Sequence, residues 1–450
     1  MKLVDRDLAS IQEIRGLIKR AVVAQEKLLT LEQEEVNIIT REMALAGKKA
    51  ARALAELAVE ETGLGVVEDK VTKNLIATEN LYEYIKNLKT VGVLNTDEAA
   101  GVIEMGEPVG VIGALTPVTN PTSTVMYKCI IALKSRNAIV FNPHPTAARC
   151  SKAAAEIMAR VAVAAGAPEG AIGCVTSPTL ESSQEMLRHP DIALILATGG
   201  SGMVRAAYSA GKPAIGVGPG NVPAVIDGSA DVTKAVADIV LSKTFDNGTI
   251  CASEQAVIVE EGILSQVVEE FLRHGGYFVN EREIKALEGT MVLPDGRLNP
   301  RIVGQPATKI AELAGISVPA ETRLLVVPLA GVGKRFPLSM EKLSPVLALY
   351  SFRKWENACR LARELVCFGG LGHTAVIHSK DQEHIREFAN KIPVGRVLVN
   401  TPASHGAVGG TTGLAPALTL GSGTWGKCSS TDNISPLHLL NIKRIAFGKK

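Results

Sequence analysis

From Val109 onward, short continuous apolar runs alternate with helical stretches, a pattern that few folds accommodate. Strands are predicted at 109–115, 138–141, 171–175, 192–197 and 214–217, and helices at 120–133, 146–165, 180–188 and 202–209. Continuous apolar strands that alternate with helices are typical of a parallel sheet covered on both faces. Such sheets bind ligands beyond the carboxyl ends of their strands. This half of the chain therefore predicts a doubly wound α/β unit with a ligand crevice along one edge.

A second alternating set follows Cys251 and predicts another α/β unit. Its strands are predicted at 255–259, 323–328, 345–350, 374–378 and 396–399, and its helices at 262–273, 354–366 and 381–390. A length of 450 residues accommodates two such domains, and we place their boundary near Asp227. The predicted domains are 1–226 and 227–417, followed by a C-terminal segment at 418–450.

Three helical stretches and a hairpin are predicted ahead of the first α/β unit. Helical patterns cover 6–28, 31–62 and 69–88, with a Thr30–Gln33 capping box predicted at the start of the second helix and Gly63 at its end. Short strands at 91–95 and 101–105 predict a hairpin excursion at 91–106 within the first domain. The run 438–447 predicts a terminal strand without a partner nearby in sequence. It either pairs with another subunit or closes an edge within the chain.

Composition argues against several functional classes. Aromatic residues make up only 4% of the chain and the net charge is +2 without a basic stripe, which argues against nucleic-acid binding. The seven cysteines include no Cys-x-x-Cys pair, so neither a metal site nor a disulfide framework is predicted, and their odd number suits a reducing cytoplasm. No apolar run reaches the roughly 18 residues of a spanning helix, and Asp5, Arg6 and Asp7 do not suit a secretory signal. We therefore expect a cytoplasmic protein that does not bind membranes.

A turn in the middle of the chain presents one cysteine just before a predicted strand. The segment from Asp246 to Cys251 reads Asp-Asn-Gly-Thr-Ile-Cys and follows a helical pattern at 231–242. Gly248 permits backbone angles and close approaches that a β-carbon would forbid, which suits a loop that holds a reactive group against a ligand. A thiol in such a loop can be reactive, whereas most unpaired cysteines are simply packed in the core. From the residues alone both interpretations stay open.

A glycine-rich loop follows one predicted strand of the first domain. Residues 198–201 read Thr-Gly-Gly-Ser and precede a helix. Backbone N–H groups and the helix N-terminus favour a bound phosphate at such a place. A Gly-Gly turn between strand and helix is often only a turn, so this loop predicts a phosphate site only in combination with other signals.

Two polar residues have both a structural and a chemical interpretation. Asn120 follows a Thr-Pro pair at 116–117 and starts a helix, so it is either an N-cap or an amide donor for a developing oxyanion. His373 lies after glycines at 369–372 in front of a predicted strand. It is either a packed structural histidine or a proton-handling group beside a ligand cleft.

The Cys251 turn, the glycine-rich loop at 198–201 and Asn120 occur along the chain in the order seen in the aldehyde dehydrogenase superfamily, which the chain resembles. Within it, the chain is similar to the CoA-acylating aldehyde dehydrogenases of fermentative bacteria and of ethanolamine or propanediol utilisation. The similarity rests on Gly-Val-Gly-Pro-Gly-Asn at 216–221, Phe-Asp-Asn-Gly-Thr-Ile-Cys-Ala-Ser-Glu-Gln at 245–255, Glu-Lys-Leu-Ser-Pro-Val at 341–346, Gly-His-Thr-Ala at 372–375 and Leu-Gly-Ser-Gly-Thr-Trp-Gly at 420–426. It implies an aldehyde dehydrogenase-like fold, with two doubly wound α/β domains and a small β extension for oligomerisation.

The resemblance implies a role for each matching residue. Cys251 is the expected nucleophile, Asn120 and the backbone N–H of Cys251 the expected oxyanion hole, and His373 is expected to border the acyl-transfer site. The first domain would bind NAD or NADP, and the second would carry the nucleophile. The expected cofactor-binding residues come from several loops: Thr116, Pro117, Asn142, His144, Thr198, Gly199, Gly200, Ser201, Gly218 and Glu341. No metal ligand is implied.

Two departures from the family pattern bear on the reaction. Hydrolytic members carry a Glu-Leu-Gly-Gly segment that supplies a general base, whereas residues 217–220 here read Val-Gly-Pro-Gly. Water needs such a base, but a thiol of pKa about 8.5 is already partly ionised at neutral pH and needs far less help. An acyl-enzyme would therefore be left for coenzyme A. The Lys-Pro that holds the adenosine ribose in the family is Asn142-Pro143 here, so the choice between NAD and NADP stays open.

The resemblance implies reversible oxidation of acetaldehyde or propionaldehyde to acyl-CoA with NAD(P) and coenzyme A. A CoA-dependent succinate-semialdehyde dehydrogenase is the alternative, and a hydrolytic dehydrogenase is a weaker one. A scaffold that kept the fold but lost the chemistry would not need both Cys251 and Asn120. The expected assembly is a homodimer or homotetramer, and its enclosure in a bacterial microcompartment stays open.

Overall fold

The computed structural model describes residues 5–449, which form three β-sheets covered by helices. The strands are β1 (Gly92–Asp97), β2 (Val102–Pro108), β3 (Ile112–Thr116), β4 (Ile139–Pro143), β5 (Ile172–Cys174), β6 (Leu194–Thr198), β7 (Ala214–Val217), β8 (Val222–Ile226), β9 (Glu254–Glu260), β10 (Gly276–Phe278), β11 (Leu324–Pro328), β12 (Val346–Phe352), β13 (Gly372–His378), β14 (Val394–Val399) and β15 (Leu440–Ala446). The helices are α1 (Arg6–Leu28), α2 (Gln33–Thr62), α3 (Val67–Leu75), α4 (Leu81–Ile85), α5 (Pro121–Lys134), α6 (Ala148–Ala164), α7 (Leu180–Arg188), α8 (Ser201–Tyr208), α9 (Val232–Thr244), α10 (Leu264–Arg273), α11 (Glu281–Met291), α12 (Ala307–Leu313), α13 (Trp355–Gly369), α14 (Gln382–Lys391) and α15 (Ala403–Ala407).

The first large sheet has the strand order β5-β4-β3-β6-β7, and all its neighbouring strands are parallel. The chain runs from β3 outward through β4 to β5 and then returns to β6 on the other side of β3. The strands β3 and β6 therefore flank a topological switch point, where the loops beyond their carboxyl ends diverge and leave a crevice. These buried strands confirm the parallel α/β unit predicted from the apolar pattern.

The second large sheet has the order β10-β11-β12-β9-β8-β13-β14 and is also parallel. The apolar pattern does not predict β8, a five-residue run in which Pro223 lacks a backbone N–H and the pairing with β9 shifts register. It also misses β10, α11 and α12. Because β8 belongs to the second sheet, the change of sheet falls between Val217 and Val222, ahead of the boundary predicted near Asp227.

The small third sheet has the order β1-β2-β15 and is antiparallel. The strands β1 and β2 form the predicted hairpin. The terminal strand β15 pairs with β2 from Leu440↔Pro108 to Ala446↔Val102, so it closes an edge within the chain. Of the two alternatives that the sequence leaves open, pairing within the chain is the one observed.

The amino-terminal helices follow the predicted ranges closely, but the predicted cap of α2 is wrong. The N–H of Glu32 donates to the carboxylate of Glu35, whereas the hydroxyl of Thr30 donates to the carbonyl of Lys27. Gln33 instead accepts the N–H groups that lead into the hairpin. The helix ends at Gly63 with φ 67°, as predicted. None of the helices in residues 5–449 combines the length and apolarity needed to span a bilayer.

Candidate active site

A tight turn after α9 sets the position of Cys251. Asp246 and Asn247 both have φ 51° and Gly248 has φ 73°, so three successive residues are left-handed. Asp and Asn tolerate this region better than other side chains, and a β-carbon at Gly248 would lie 2.9 Å from the backbone of Ser344. The predicted turn is confirmed. The turn places Cys251 three residues before β9, which begins at Glu254.

The turn is anchored by the buried carboxylate of Asp246. It accepts hydrogen bonds from Lys70 Nζ at 2.9 Å, Lys73 Nζ at 2.5 Å, the Thr249 hydroxyl at 2.6 Å and the Val66 N–H at 2.7 Å. Burial acts to raise the pKa of Asp246, but the two lysines outweigh it and the pKa is lowered. The loop before Cys251 is therefore tied to α3 by charged groups.

Cys251 and His373 form a close pair. The Cys251 Sγ lies 3.2 Å from His373 Nε2, and the His373 Nδ1 lies 3.0 Å from the Thr374 hydroxyl. The sequence predicts a strand from residue 374 with His373 in the glycine-rich loop before it. In the structure β13 begins at Gly372, so His373 belongs to the strand and is fully buried. If Nδ1 donates to Thr374, Nε2 is free to accept the thiol proton.

Both members of the pair are neutral at rest. Burial, followed by the Glu341 carboxylate, raises the pKa of Cys251 to about 12, against the opposing effects of Arg396, the Cys251 backbone N–H and Lys73. Burial, followed by the charge of Arg396, lowers the pKa of His373 to about 3. The resting state is thus a thiol beside an imidazole. The thiolate expected from the sequence is therefore not the resting form of Cys251.

The pH dependence of thiol alkylation tests this state. Since the pKa of Cys251 is raised to about 12, its thiolate fraction should grow about tenfold for each pH unit between 7 and 10, without a plateau. Iodoacetamide labelling followed by peptide mass spectrometry measures this rate, and the exposed Cys367 provides a reference in the same sample. A plateau for Cys251 below pH 8 would mean that a thiolate already exists in the resting protein.

Gly220 joins the loop between the two sheets to this pair. A β-carbon at Gly220 would lie 2.3 Å from the Cys251 carbonyl oxygen and 3.0 Å from the His373 ring. Its N–H donates to Glu341 Oε1 at 2.9 Å. Burial raises the pKa of Glu341 to about 7, which the Gly220 N–H and Lys243 partly offset. From the sequence, Gly220 is noted only as part of a motif. The residues that leave no room for a side chain there, Cys251 and His373, lie far from it in the chain.

Asn120 precedes α5 but does not cap it with its side chain. Its Oδ1 accepts a hydrogen bond from Lys73 Nζ at 2.7 Å. Its Nδ2 donates to the Thr119 hydroxyl at 3.0 Å and to the Thr249 carbonyl at 3.3 Å. Asn120 thus occupies the N-cap position without a capping side-chain hydrogen bond, and one of its two amide hydrogens is directed toward the loop that carries Cys251.

Arg396 and Lys73 are site residues that sequence reasoning missed. Arg396 is buried in β14 and donates to neutral acceptors, the His373 carbonyl at 2.9 Å, the Thr431 carbonyl at 2.7 Å, the Gly421 carbonyl at 2.5 Å and the Asn433 side-chain oxygen at 2.8 Å. None of these acceptors is a carboxylate, so no hydrogen-bonded partner neutralises the charge of Arg396. This charge therefore acts on the pair of Cys251 and His373. A single basic residue within a predicted strand or a predicted helix does not stand out in the sequence as a site residue.

The predicted cofactor residues at the switch point lie together. Thr116 ends β3, and its buried hydroxyl has no hydrogen-bond partner in the part of the chain from 5 to 449. Pro117 follows it in the loop. Thr198 ends β6, and Gly199 and Gly200 lead into α8, which begins at Ser201. Gly200 makes no side-chain cap, so the first N–H groups of α8 can receive an anion.

The other predicted cofactor residues have different surroundings. Asn142 is buried, with Oδ1 accepting from the Ser182 hydroxyl and Nδ2 donating to Ser183 Oγ. Both ends of its amide are occupied, so it shapes the end of β4. His144 accepts the N–H of Thr146 at the start of the following turn. Gly218 lies in the partly exposed loop between β7 and β8. Between residues 5 and 449 no cluster of three or more His, Cys, Asp or Glu side chains is placed to hold a metal ion.

The site therefore lies between two sheet edges. Asn120 and the 198–201 loop follow the carboxyl ends of β3 and β6, whereas Gly220, Cys251 and His373 lie at or before the amino ends of β8, β9 and β13. The contacts of Gly220 and Asn120 with the Cys251 loop bring these two edges together. The arrangement can position an anionic cofactor beside a nucleophilic thiol, a base and an amide donor.

The chain is similar to known proteins along most of its length. Residues 3–275 match the aldehyde dehydrogenase family. The chain is 48% identical over 445 residues to the bifunctional aldehyde-alcohol dehydrogenase AdhE of Escherichia coli strain K12, covering 98% of this chain and 50% of that protein. The chain thus spans about half the length of the first curated relatives it matches.

Two further matches cover nearly the whole of both chains. The chain is 37% identical to the succinate-semialdehyde dehydrogenase (acetylating) of Clostridium kluyveri, covering 97% of this chain and 96% of that protein. The crystal structure of an acetylating aldehyde dehydrogenase from Geobacillus thermoglucosidasius superposes with a TM-score of 0.98 at 49% identity, covering 100% of this chain and 99% of that one.

Proposed function

The chain belongs to the aldehyde dehydrogenase family, and we propose that it is a CoA-acylating member that reversibly converts a short-chain aldehyde to its acyl-CoA with NAD or NADP. The observation that carries this proposal is the 3.2 Å contact between Cys251 Sγ and His373 Nε2, with the amide of Asn120 turned toward the same loop. These groups place a nucleophile, its proposed base and an oxyanion donor around one loop.

The first step is addition of Cys251 to the aldehyde. His373 Nε2 takes the thiol proton as the C–S bond forms, so that no free thiolate has to exist at rest. The carbonyl π electrons move to the aldehyde oxygen, which becomes the thiohemiacetal oxyanion. Asn120 Nδ2 and the Cys251 N–H would stabilise that oxygen, because fixed donors in a buried site need little reorganisation.

The cleft between the sheets fits a dinucleotide cofactor. The unpartnered hydroxyl of Thr116 and the open N-terminus of α8 provide polar groups at the switch point. We expect Thr198, Gly199, Gly200 and Ser201 along its pyrophosphate. When bound, the nicotinamide ring supplies the acceptor for the hydride that leaves the thiohemiacetal carbon. Glu341 would hold the ribose next to it, and Cys251 would then carry a thioester.

The second step is transfer of the acyl group to coenzyme A. Residues 217–220 carry no carboxylate, so the position that holds the general base for water in hydrolytic members lacks one. After His373 has released its first proton to solvent, the thiol of coenzyme A attacks the thioester carbon and passes its proton to His373. The C–S bond to Cys251 then breaks, and the leaving sulfur takes that proton back to become a thiol again. A thiol needs less activation than water, which favours acyl-CoA over the free acid as the product.

A small uncharged aldehyde is the preferred substrate. The charges of Lys73 and Arg396 reach Cys251, but their donors are already bound to protein oxygens. A carboxylate-bearing aldehyde would need a cation with free donors. The likeness to the succinate-semialdehyde enzyme supports the alternative substrate, because that relative matches along almost its entire length.

The assembly is proposed from the small sheet, and the location from the free cysteines. The edge strand β1 and the exposed side chain of Ile445 in β15 give the small sheet a surface for a second subunit, which supports a homodimer or homotetramer. A cytoplasmic location agrees with the free cysteines, and packaging in a microcompartment is compatible with the resemblance.

The test is a matrix of assays at 340 nm. Acetaldehyde, propionaldehyde and succinic semialdehyde are each offered with NAD or NADP, with and without coenzyme A. We expect sustained reduction of the cofactor only when coenzyme A is present, with the two short aldehydes giving the higher kcat/KM. Mass spectrometry of the products identifies the acyl-CoA.

Three outcomes would change the proposal. Sustained turnover to a free acid without coenzyme A would mean a hydrolytic enzyme. A higher kcat/KM for succinic semialdehyde would establish the alternative substrate. No cofactor reduction under any condition would contradict the enzymatic role altogether.

A further inference from the structure

A buried lysine on α3 lies directly behind the amide of Asn120. Lys73 is only 2% exposed, and its ammonium group donates to Asn120 Oδ1 at 2.7 Å, to Asp246 Oδ2 at 2.5 Å and to the Thr249 hydroxyl at 3.2 Å. These three acceptors match the three hydrogens of an ammonium group. No part of the proposed reaction uses Lys73 directly.

This contact decides which way the Asn120 amide faces. An ammonium group donates hydrogen bonds and accepts none, so it can contact only the oxygen of the amide. Rotating the amide by half a turn would place its NH2 group against the charged NH3 group. That orientation loses a charge-assisted hydrogen bond and adds a repulsion between two donors. With the oxygen held by Lys73, the NH2 group faces away from the ammonium group, and one of its hydrogens reaches the Thr249 carbonyl in the loop of Cys251.

The charge of Lys73 is preserved by its surroundings. Burial lowers the pKa of Lys73 to about 8, and Asp246 opposes this effect, so the group is protonated at neutral pH. Lys70 donates to the same carboxylate, and Asp69 accepts the N–H of Asp246 at 2.7 Å. Two buried lysines and two aspartates thus join α3 to the turn before Cys251. The same ammonium group orients the amide and anchors the nucleophile loop.

We propose that Lys73 is a positioning residue, which holds the Asn120 amide with one N–H group aimed at the oxyanion that forms on the Cys251 adduct. This inference rests on the proposed function, since it assigns Lys73 a role in the same reaction. Lys73 contacts neither substrate nor cofactor in it. It acts through Asn120, and its charge makes the amide N–H groups better donors.

The test is a double-mutant cycle between Lys73 and Asn120. The variants Lys73→Met, Asn120→Ala and the double variant are compared with the wild type in kcat and KM for acetaldehyde and coenzyme A. We expect Lys73→Met to lower kcat by about 10- to 100-fold, less than the loss of the donor itself, with little change in KM. In the Asn120→Ala background the same change should lower kcat by less than about twofold, because the group that Lys73 orients is already gone.

Lys70→Met is the matched control. Lys70 is equally buried and donates to the same Asp246 carboxylate, but its other hydrogen bond goes to the Thr119 carbonyl and not to Asn120. Both lysine variants should lose thermal stability to a similar degree, because each leaves Asp246 with one ammonium partner. The loss in kcat should be clearly larger for Lys73→Met. Lys73→Arg, which keeps charged donors, should recover part of the lost kcat.

The outcomes separate this inference from the proposed function. If Asn120→Ala leaves kcat unchanged, the oxyanion assignment itself fails. If Asn120→Ala is slow and Lys73→Met lowers kcat by the same factor in both backgrounds, Lys73 acts independently of the amide and the inference is wrong. Equal kcat losses for the two lysine variants would also overturn it. If Lys73→Met does not fold, the same cycle is run with Lys73→Gln, which keeps a neutral donor.

Discussion

Replacing Cys251 by alanine is expected to abolish both aldehyde oxidation and the reverse reduction of acyl-CoA. Both directions pass through a covalent bond to the sulfur, and alanine offers no atom that can form it. The sulfur lies 3.2 Å from His373 Nε2, within hydrogen-bonding distance. Initial rates at 340 nm in both directions measure the loss, which should reach the background of the assay.

The control for this variant is Cys367→Ala. Cys367 is exposed on α13 and has no part in the proposed reaction, so its removal should leave both rates unchanged. A covalent acyl group trapped on the wild type with acetyl-CoA, and located by peptide mass spectrometry, should disappear in Cys251→Ala and persist in Cys367→Ala. Measurable turnover in Cys251→Ala, or an acyl group on another cysteine, would contradict the assignment.

Replacing Asn120 by alanine is expected to lower kcat by about 10²- to 10³-fold in both directions. Loss of one preorganised donor to an oxyanion costs this much in other acyl-transfer sites. The change also leaves Lys73 with two acceptors, Asp246 and Thr249, so the nucleophile loop keeps its anchor. The loss should therefore appear mainly in kcat, with little change in KM for the aldehyde.

Thr119→Val is the neighbouring control. The Thr119 hydroxyl accepts one hydrogen of the Asn120 amide at 3.0 Å but does not reach the reacting atoms in the proposed reaction. Its loss should lower kcat by less than about tenfold. An Asn120→Ala enzyme with wild-type kcat would mean that the amide does not serve the oxyanion, and a rise in KM alone would indicate a role in binding.

Much of the architecture follows from local sequence patterns. The apolar runs of β3, β4, β6 and β7 are short and alternate with helical stretches, so their type is evident without any tertiary information. The turn at 246–248 is equally local, because Asp, Asn and Gly are the residues that accept a left-handed backbone. Elements whose apolar pattern is interrupted or brief, such as β8 with Pro223, are missed for the same reason.

The sequence by itself determined the α/β class, the reactive-looking cysteine turn and, through the ordered motifs, the family. Only the tertiary structure decided that Lys73, Gly220 and Arg396 also surround that cysteine, because they come from separate elements that meet only after folding. It also decided the protonation states, since burial raises the pKa of Cys251 and lowers that of His373. Desolvation and hydrogen-bond direction depend on neighbours distant in the chain, and no local pattern encodes them.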